Sequence, residues 1–150
     1  DAVVNERANQ LRWPKGPMRY NLAILRELPV FRAIPYGLVL DGQRIDTEAM
    51  LVAVGNGPAY GGGMRVTPGA SFDDGLLDVL ILGKISTLQF LRVFPKVFKG
   101  SHVSHPAVQI LQARTVRLEA SGIVSYADGE RFAPLPMTME VVPGALTVLA

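Results

Sequence analysis

The 150-residue sequence predicts a mainly β fold with a few helices, an antiparallel β-sandwich in one α+β domain spanning residues 1–150. Three observations carry this expectation. From about residue 35 the apolar pattern has a period of two rather than 3.6. Short apolar runs recur, separated by turn signals at the spacing of sandwich strands. The turn signals are themselves specific: Asp41-Gly42, Asp74-Gly75, Ser121-Gly122, Asp128-Gly129 and Pro143-Gly144.

Composition narrows the class. Hydrophobic residues make up 49% and charged residues 19%, enough for a core and too little charge for disorder. No cysteine is present, which excludes a disulfide framework and a thiolate metal site and suits a reducing compartment. No apolar run reaches the roughly 18 to 20 residues of a membrane-spanning helix. The opening Asp1-Ala2-Val3-Val4-Asn5-Glu6 lacks the basic flank and apolar stretch of a secretory signal, so a cytoplasmic location is expected. It also lacks an initiator Met and starts within a helical pattern, so a fragment of a longer chain is expected. The net charge is only +2, the basic residues are scattered and aromatics are 7%, which argues against a nucleic-acid partner.

In chain order, residues 3 to 12 read as a short helix, with Val3, Val4, Ala8 and Leu11 at helical spacing. Trp13-Pro14-Lys15-Gly16 breaks it, and Pro17 opens a second helix running to about Leu28. Arg12, Lys15, Arg19, Arg26 and Arg32 make this region basic, which suits a solvated face or an anionic membrane surface. Tyr36–Leu40 is the first strand, turned by Asp41-Gly42 into a return strand that starts over residues 43 to 45. The Met50–Gly55 and Leu76–Leu82 strands follow, on either side of a glycine-rich connection. Ser86-Thr87-Leu88-Gln89 is a capping box. The helix after it places Phe90, Leu91, Phe94, Val97 and Phe98 on one face, with a kink or restart at Pro95 and Gly100 just past its end. His102 and His105 fall in a loop with no third ligand near, so a metal role is not expected of them. Val108–Leu111, Val116–Glu119, Val124–Tyr126, Met137–Val142 and Ala145–Leu149 complete the strands.

The connection from Asn56 to Asp78 holds six of the fifteen glycines, where backbone can approach a ligand closely. Two acidic turns stand out. Ser71-Phe72-Asp73-Asp74-Gly75 offers adjacent carboxylates suited to a hard cation such as Mg²⁺, and is equally an ordinary turn. Tyr126-Ala127-Asp128-Gly129-Glu130 places two carboxylates about one glycine at a tight bend. One could orient a metal or its water, the other could take a proton from a hydroxyl, and an exposed hairpin is the plain alternative. No Walker A, G-x-S-x-G, H-E-x-x-H or G-x-G-x-x-G pattern occurs.

Several motifs in order carry a resemblance. They are V-G-N-G-x-x-Y-G-G-G (Val54 to Gly63), P-x-A-x-x-D-D-G-L-L-D-V (Pro68 to Val79), F-P-K-V-F-K-G-S-H (Phe94 to His102), V-R-L-E-A (Val116 to Ala120) and D-G-E (Asp128 to Glu130). Together they resemble the C-terminal domain of the diacylglycerol kinase catalytic family, which includes bacterial lipid kinases and sphingosine kinases and is distantly related to NAD kinases. The resemblance covers nearly the whole chain. It implies the second, sandwich domain of a two-domain, ATP- and Mg²⁺-dependent lipid kinase with its site in the interdomain cleft. The family's G-G-D-G-T nucleotide loop does not occur here, so ATP is expected mainly on an upstream domain. By resemblance Glu130 is the acid at the phosphate-transfer centre, and Asp128 its neighbour arranging metal and water. Asp74, Asp73, Ser71 and Leu76 form a structural Mg²⁺ site, with Asp74 the leading ligand. Asn56, Gly61, Gly62 and Gly63 line the nucleotide cleft. The implied partners are a lipid substrate, diacylglycerol first, and a peripheral membrane surface; exposed strand edges also allow a homodimer by sheet extension. A lipid-binding module without chemistry, or a kinase for a sphingoid base or NAD, is the alternative.

Overall fold

The computed structural model describes residues 32–59, 62–128 and 130–147. The two amino-terminal helices and most of the basic cluster expected from the sequence lie outside the described residues, as do Gly61 and Gly129. Nine strands are described: β1 (Ile34–Leu40), β2 (Gln43–Ala49), β3 (Leu51–Gly55), β4 (Leu77–Leu82), β5 (Val108–Ala113), β6 (Thr115–Glu119), β7 (Val124–Ala127), β8 (Glu130–Pro134) and β9 (Met137–Glu140). Between β4 and β5 lie helix α1 (Thr87–Val93) and two short 3-10 helices, η1 (Phe94–Lys99) and η2 (Ser101–Ser104). Among the described residues no helix is long and apolar enough to cross a membrane.

All strand pairing is antiparallel. One sheet has the order β2-β1-β6-β9, the second β3-β4-β5, and β7-β8 form a separate hairpin. Alternation decides which residues enter the core. Leu38, Leu40, Val116 and Leu118 from the first sheet meet Leu77, Val79 and Ile81 from the second in one buried cluster. The opposite face of the second sheet presents Ala53, Leu80 and Leu82 to a second cluster, completed by Met50, Met64, Val66 and Ile85 and flanked by Phe90, Phe94 and Val97. The second sheet is thus covered on both faces, and all six residues of β4 are buried. That explains a continuous apolar run where a one-sided strand would alternate.

The Ser86 side chain accepts from the Gln89 N–H while the Gln89 side chain accepts from the Ser86 N–H, the reciprocal cap expected of this motif. Pro95 restarts the chain as η1, and Gly100, at φ 71°, ends it.

Three expectations need correction. β2 does not stop at residue 45 but runs to Ala49, because Asp46 and Glu48 sit on the solvent side of an edge strand where polar residues cost little. Residues 145–147 are not strand; the chain turns at Pro143-Gly144 and leaves Leu146 exposed. Leu91, adjacent to Phe90 on α1 and so turned about 100° from it, is off the packed face, and Phe98 meets that face only by an edge contact with the Phe94 ring and stays partly exposed. The buried member of that face is Val93. A strand over Glu130–Pro134 goes unrecognised in the sequence, where Pro134 and Pro136 mask the pattern.

Candidate active site

The glycine-rich connection between β3 and β4 is held from below. Thr67 is fully buried, and its hydroxyl donates to the Gly57 carbonyl over 2.8 Å. A Cβ at Gly55 would stand 2.6 Å from that hydroxyl oxygen, so the close approach requires glycine. Further along, the Arg65 N–H donates to the Val97 carbonyl over 3.0 Å. The His102 imidazole sits 3.0 Å from the Val66 carbonyl, with Nε2 as donor, since a carbonyl only accepts. A Cβ at Gly100 would press to 2.8 Å from the Pro68 ring. The segment Phe94 to His102 therefore serves as the bed on which the loop from Met64 to Pro68 rests. Asn56, Gly62 and Gly63 are exposed above this base. Gly62 and Gly63 take φ of 74° and 88°, a conformation that side chains resist.

The acidic turn lies on the same connection. Ser71 Oγ–H donates to Asp73 Oδ1 at 2.6 Å, and the Leu76 N–H donates to Asp74 Oδ1 at 2.9 Å. Both carboxylates are exposed and each keeps a second oxygen free of protein donors. The Phe72 ring lies against Gly57, which brings this turn over the start of the glycine-rich loop. For a hard cation the donor type fits: carboxylate oxygens and a backbone carbonyl, with room for water. Leu76 could contribute only its carbonyl oxygen, since its side chain is apolar and its N–H, a donor, caps the Asp74 carboxylate. Among the described residues no three His, Cys, Asp or Glu side chains gather at a metal-binding distance. His105 makes a local bond to the Ala107 N–H through Nδ1, and His102 is buried in its packing role.

Asp128 and Glu130 stand at the tip of the β7–β8 hairpin. Ala127 pairs with Glu130, Asp128 takes φ 49°, and both carboxylates are exposed. A register shift between Val124 and Tyr126 twists the hairpin, and Ser125 compensates by donating to the Ala133 carbonyl at 2.7 Å and accepting from its N–H at 3.3 Å. Among the described residues no hydrogen bond or ion pair joins this hairpin to the Asn56–Asp74 connection.

Three buried polar residues escape sequence reasoning. Thr67 and His102 fall outside any periodic element, so nothing in the pattern marks them as core. Asp78 is buried on β4, opposite Gly55 in register, with the Gln112 amide at 3.3 and 3.4 Å from its two oxygens. A lone polar residue inside the apolar run Leu76–Leu82 is the one signal that could have found it.

Known proteins are similar to this chain in sequence and in fold. A diacylglycerol kinase of Mycobacterium tuberculosis strain H37Rv is 46% identical over 150 residues, covering 99% of this chain and 48% of that protein. A diacylglycerol kinase of Bacillus subtilis is 28% identical over 129 residues, covering 85% and 43%. The chain thus spans less than half the length of these relatives. A crystal structure of a Bacillus anthracis diacylglycerol kinase superposes with a TM-score of 0.66 at 28% identity, over 83% of this chain and 43% of that one. A second structure from that organism, at 24% identity and a TM-score of 0.68, shows the same fold. The family described as the YegS C-terminal NAD kinase beta sandwich-like domain matches residues 1–150, and this chain belongs to it.

Proposed function

We propose that this chain is the substrate-side half of an ATP- and Mg²⁺-dependent lipid kinase that phosphorylates a lipid hydroxyl, with diacylglycerol as first candidate. The observation that carries the proposal is the 46% identity along the whole chain to a diacylglycerol kinase. The hairpin tip supports it chemically, because phosphoryl transfer demands positioning and a proton acceptor more than covalent work from protein. Glu130 accepts the proton of the attacking hydroxyl as the new oxygen–phosphorus bond forms and ADP departs with the broken one. Asp128, one turn residue away, orients the groups around it. Asn56, Gly61, Gly62 and Gly63 serve the nucleotide phosphates, most of whose contacts come from an upstream half. Asp74, with Asp73, Ser71 and the Leu76 carbonyl, would hold Mg²⁺, which when bound neutralises the paired carboxylates and stiffens the turn.

The test is ATP-dependent phosphate transfer to diacylglycerol in mixed micelles with Mg²⁺. The chain alone is compared with the chain joined to the amino-terminal half of the Mycobacterium tuberculosis relative. Activity confined to the joined form is the expected result. A folded joined protein that transfers no phosphate to any lipid alcohol offered, sphingoid bases included, overturns the proposal in favour of a binding module.

A further inference from the structure

From Val79 to Leu118 the sequence contains no Asp or Glu. Within that run Arg92, Lys96 and Lys99 fall on α1 and η1, Lys84 lies in the connection just before α1, and all four are exposed. Among the described residues the salt bridges involve Arg44 and Arg117 only, so these four cations face solvent without a counter-charge. The layer is already anchored by its inner face, where Phe90, Val93, Phe94 and Val97 cover the second sheet. Its outer face is not polar. Leu88 is 57% exposed, Leu91 41% and Phe98 39%. Leu88 and Leu91 are three apart on α1, and Arg92 is four from Leu88, so apolar and basic side chains share one outer stripe.

We propose that this outer face of α1 and η1 is a docking surface for an anionic lipid bilayer. Apolar side chains that enter the interface, ringed by cations that meet lipid phosphates, are the composition of an interfacial helix. A nucleic acid would use the charge but leave the leucines exposed. A protein partner would need acids to match four cations and is not specified by anything else on this face. The proposal deepens the lipid-kinase reading and rests on it for the choice of lipid as occupant, since a kinase acting on a lipid hydroxyl must reach the membrane plane.

Co-sedimentation of the full chain with vesicles tests it, without ATP, against equal parts phosphatidylglycerol and phosphatidylcholine and against phosphatidylcholine alone. Binding to the anionic vesicles only, weakened by salt, is expected. Each of Arg92→Gln, Lys96→Gln and Lys99→Gln should lower the partition coefficient on the order of fivefold. Leu88→Gln with Leu91→Gln should lower it at least tenfold. Arg114→Gln, at the end of β5 away from η2, should leave it unchanged, and thermal melts confirm that the variants fold. Equal binding to neutral vesicles, no binding, or binding untouched by these changes overturns the proposal. So does equal affinity for a single-stranded oligonucleotide that ignores the leucine changes, which would make the face a polyanion site. Phosphate transfer in detergent micelles without vesicle binding overturns this surface alone. Vesicle binding that follows the stated pattern, with no phosphate transfer by the joined protein, supports the surface and overturns the kinase reading instead.

Discussion

Asp41-Gly42 and Asp128-Gly129 are the same dipeptide at the same kind of hairpin tip, and the aspartate φ is 49° in both. Their carboxylates have opposite fates. Asp41 accepts from the Arg114 N–H at 3.0 and 3.2 Å and from the Thr115 N–H at 2.8 Å, locking the β1–β2 turn onto the β5–β6 turn. The carboxylates of Asp128 and its neighbour Glu130 have no hydrogen-bond partner among the described residues and stand in solvent. The difference teaches that a turn motif specifies backbone shape but not the use of its side chain. A carboxylate spent on backbone donors is structure; one left unspent is available for chemistry.

Four measurements sharpen or break that contrast. The largest effect is expected at the unspent acid: Glu130→Gln, in the chain joined to a nucleotide-binding half, should lower turnover about 10²- to 10⁴-fold with an unchanged melting temperature. Activity within a few-fold of the parent would remove Glu130 as the base. Next, the same change at the two tips should separate them. Asp41→Gly relieves the positive φ but abandons the Arg114 and Thr115 donors, so denaturant unfolding should show a net loss of about 1–2 kcal/mol. Asp128→Gly relieves the same positive φ with no side-chain bond to lose, so it should leave stability unchanged or slightly raised while reducing turnover. If both tips lose stability equally, the contrast fails.

A smaller effect is expected at Thr67, a side chain spent like that of Asp41. Thr67→Val keeps the shape, removes the bond to the Gly57 carbonyl and should cost about 1 kcal/mol in chemical denaturation. The smallest concerns His102. Its Nε2 donates to Val66 while Nδ1 is buried without a partner, and burial lowers its pKa from the ordinary 6.5. The unfolded chain therefore binds more protons than the native one as pH falls through 6.5, so this contribution is complete above that value and is lost toward the depressed native one. Melting temperature should fall from neutral pH toward about pH 5, and His102→Gln should flatten the slope relative to the parent. An identical slope in the variant would show that other groups set it.

Most of the strand set and its turns was legible because period-two alternation and Asp-Gly or Pro-Gly pairs are local signals. β4, α1 with its cap and the stop at Gly100 all lie where the pattern places them. The full length of β2 was not legible, because an edge strand tolerates the polar residues that otherwise announce a loop. The candidate site residues were recognisable as motifs, yet the support beneath them was not. Thr67 and His102 act through contacts with Gly57 and Val66, which lie 10 and 36 residues away in sequence.

By itself the sequence determined the class of fold, the turns at Asp41-Gly42 and Pro143-Gly144, and membership of a family whose motifs run through its whole length. These follow from backbone preference and side-chain period, which act over a few residues. Only the tertiary structure decided that β4 is buried on both faces and that the Phe94–His102 segment carries the glycine-rich loop. It also decided that one Asp-Gly tip is tied down while its twin stands free. The physical reason is that burial and hydrogen-bond satisfaction depend on which surfaces meet, and those surfaces come from residues far apart in the chain.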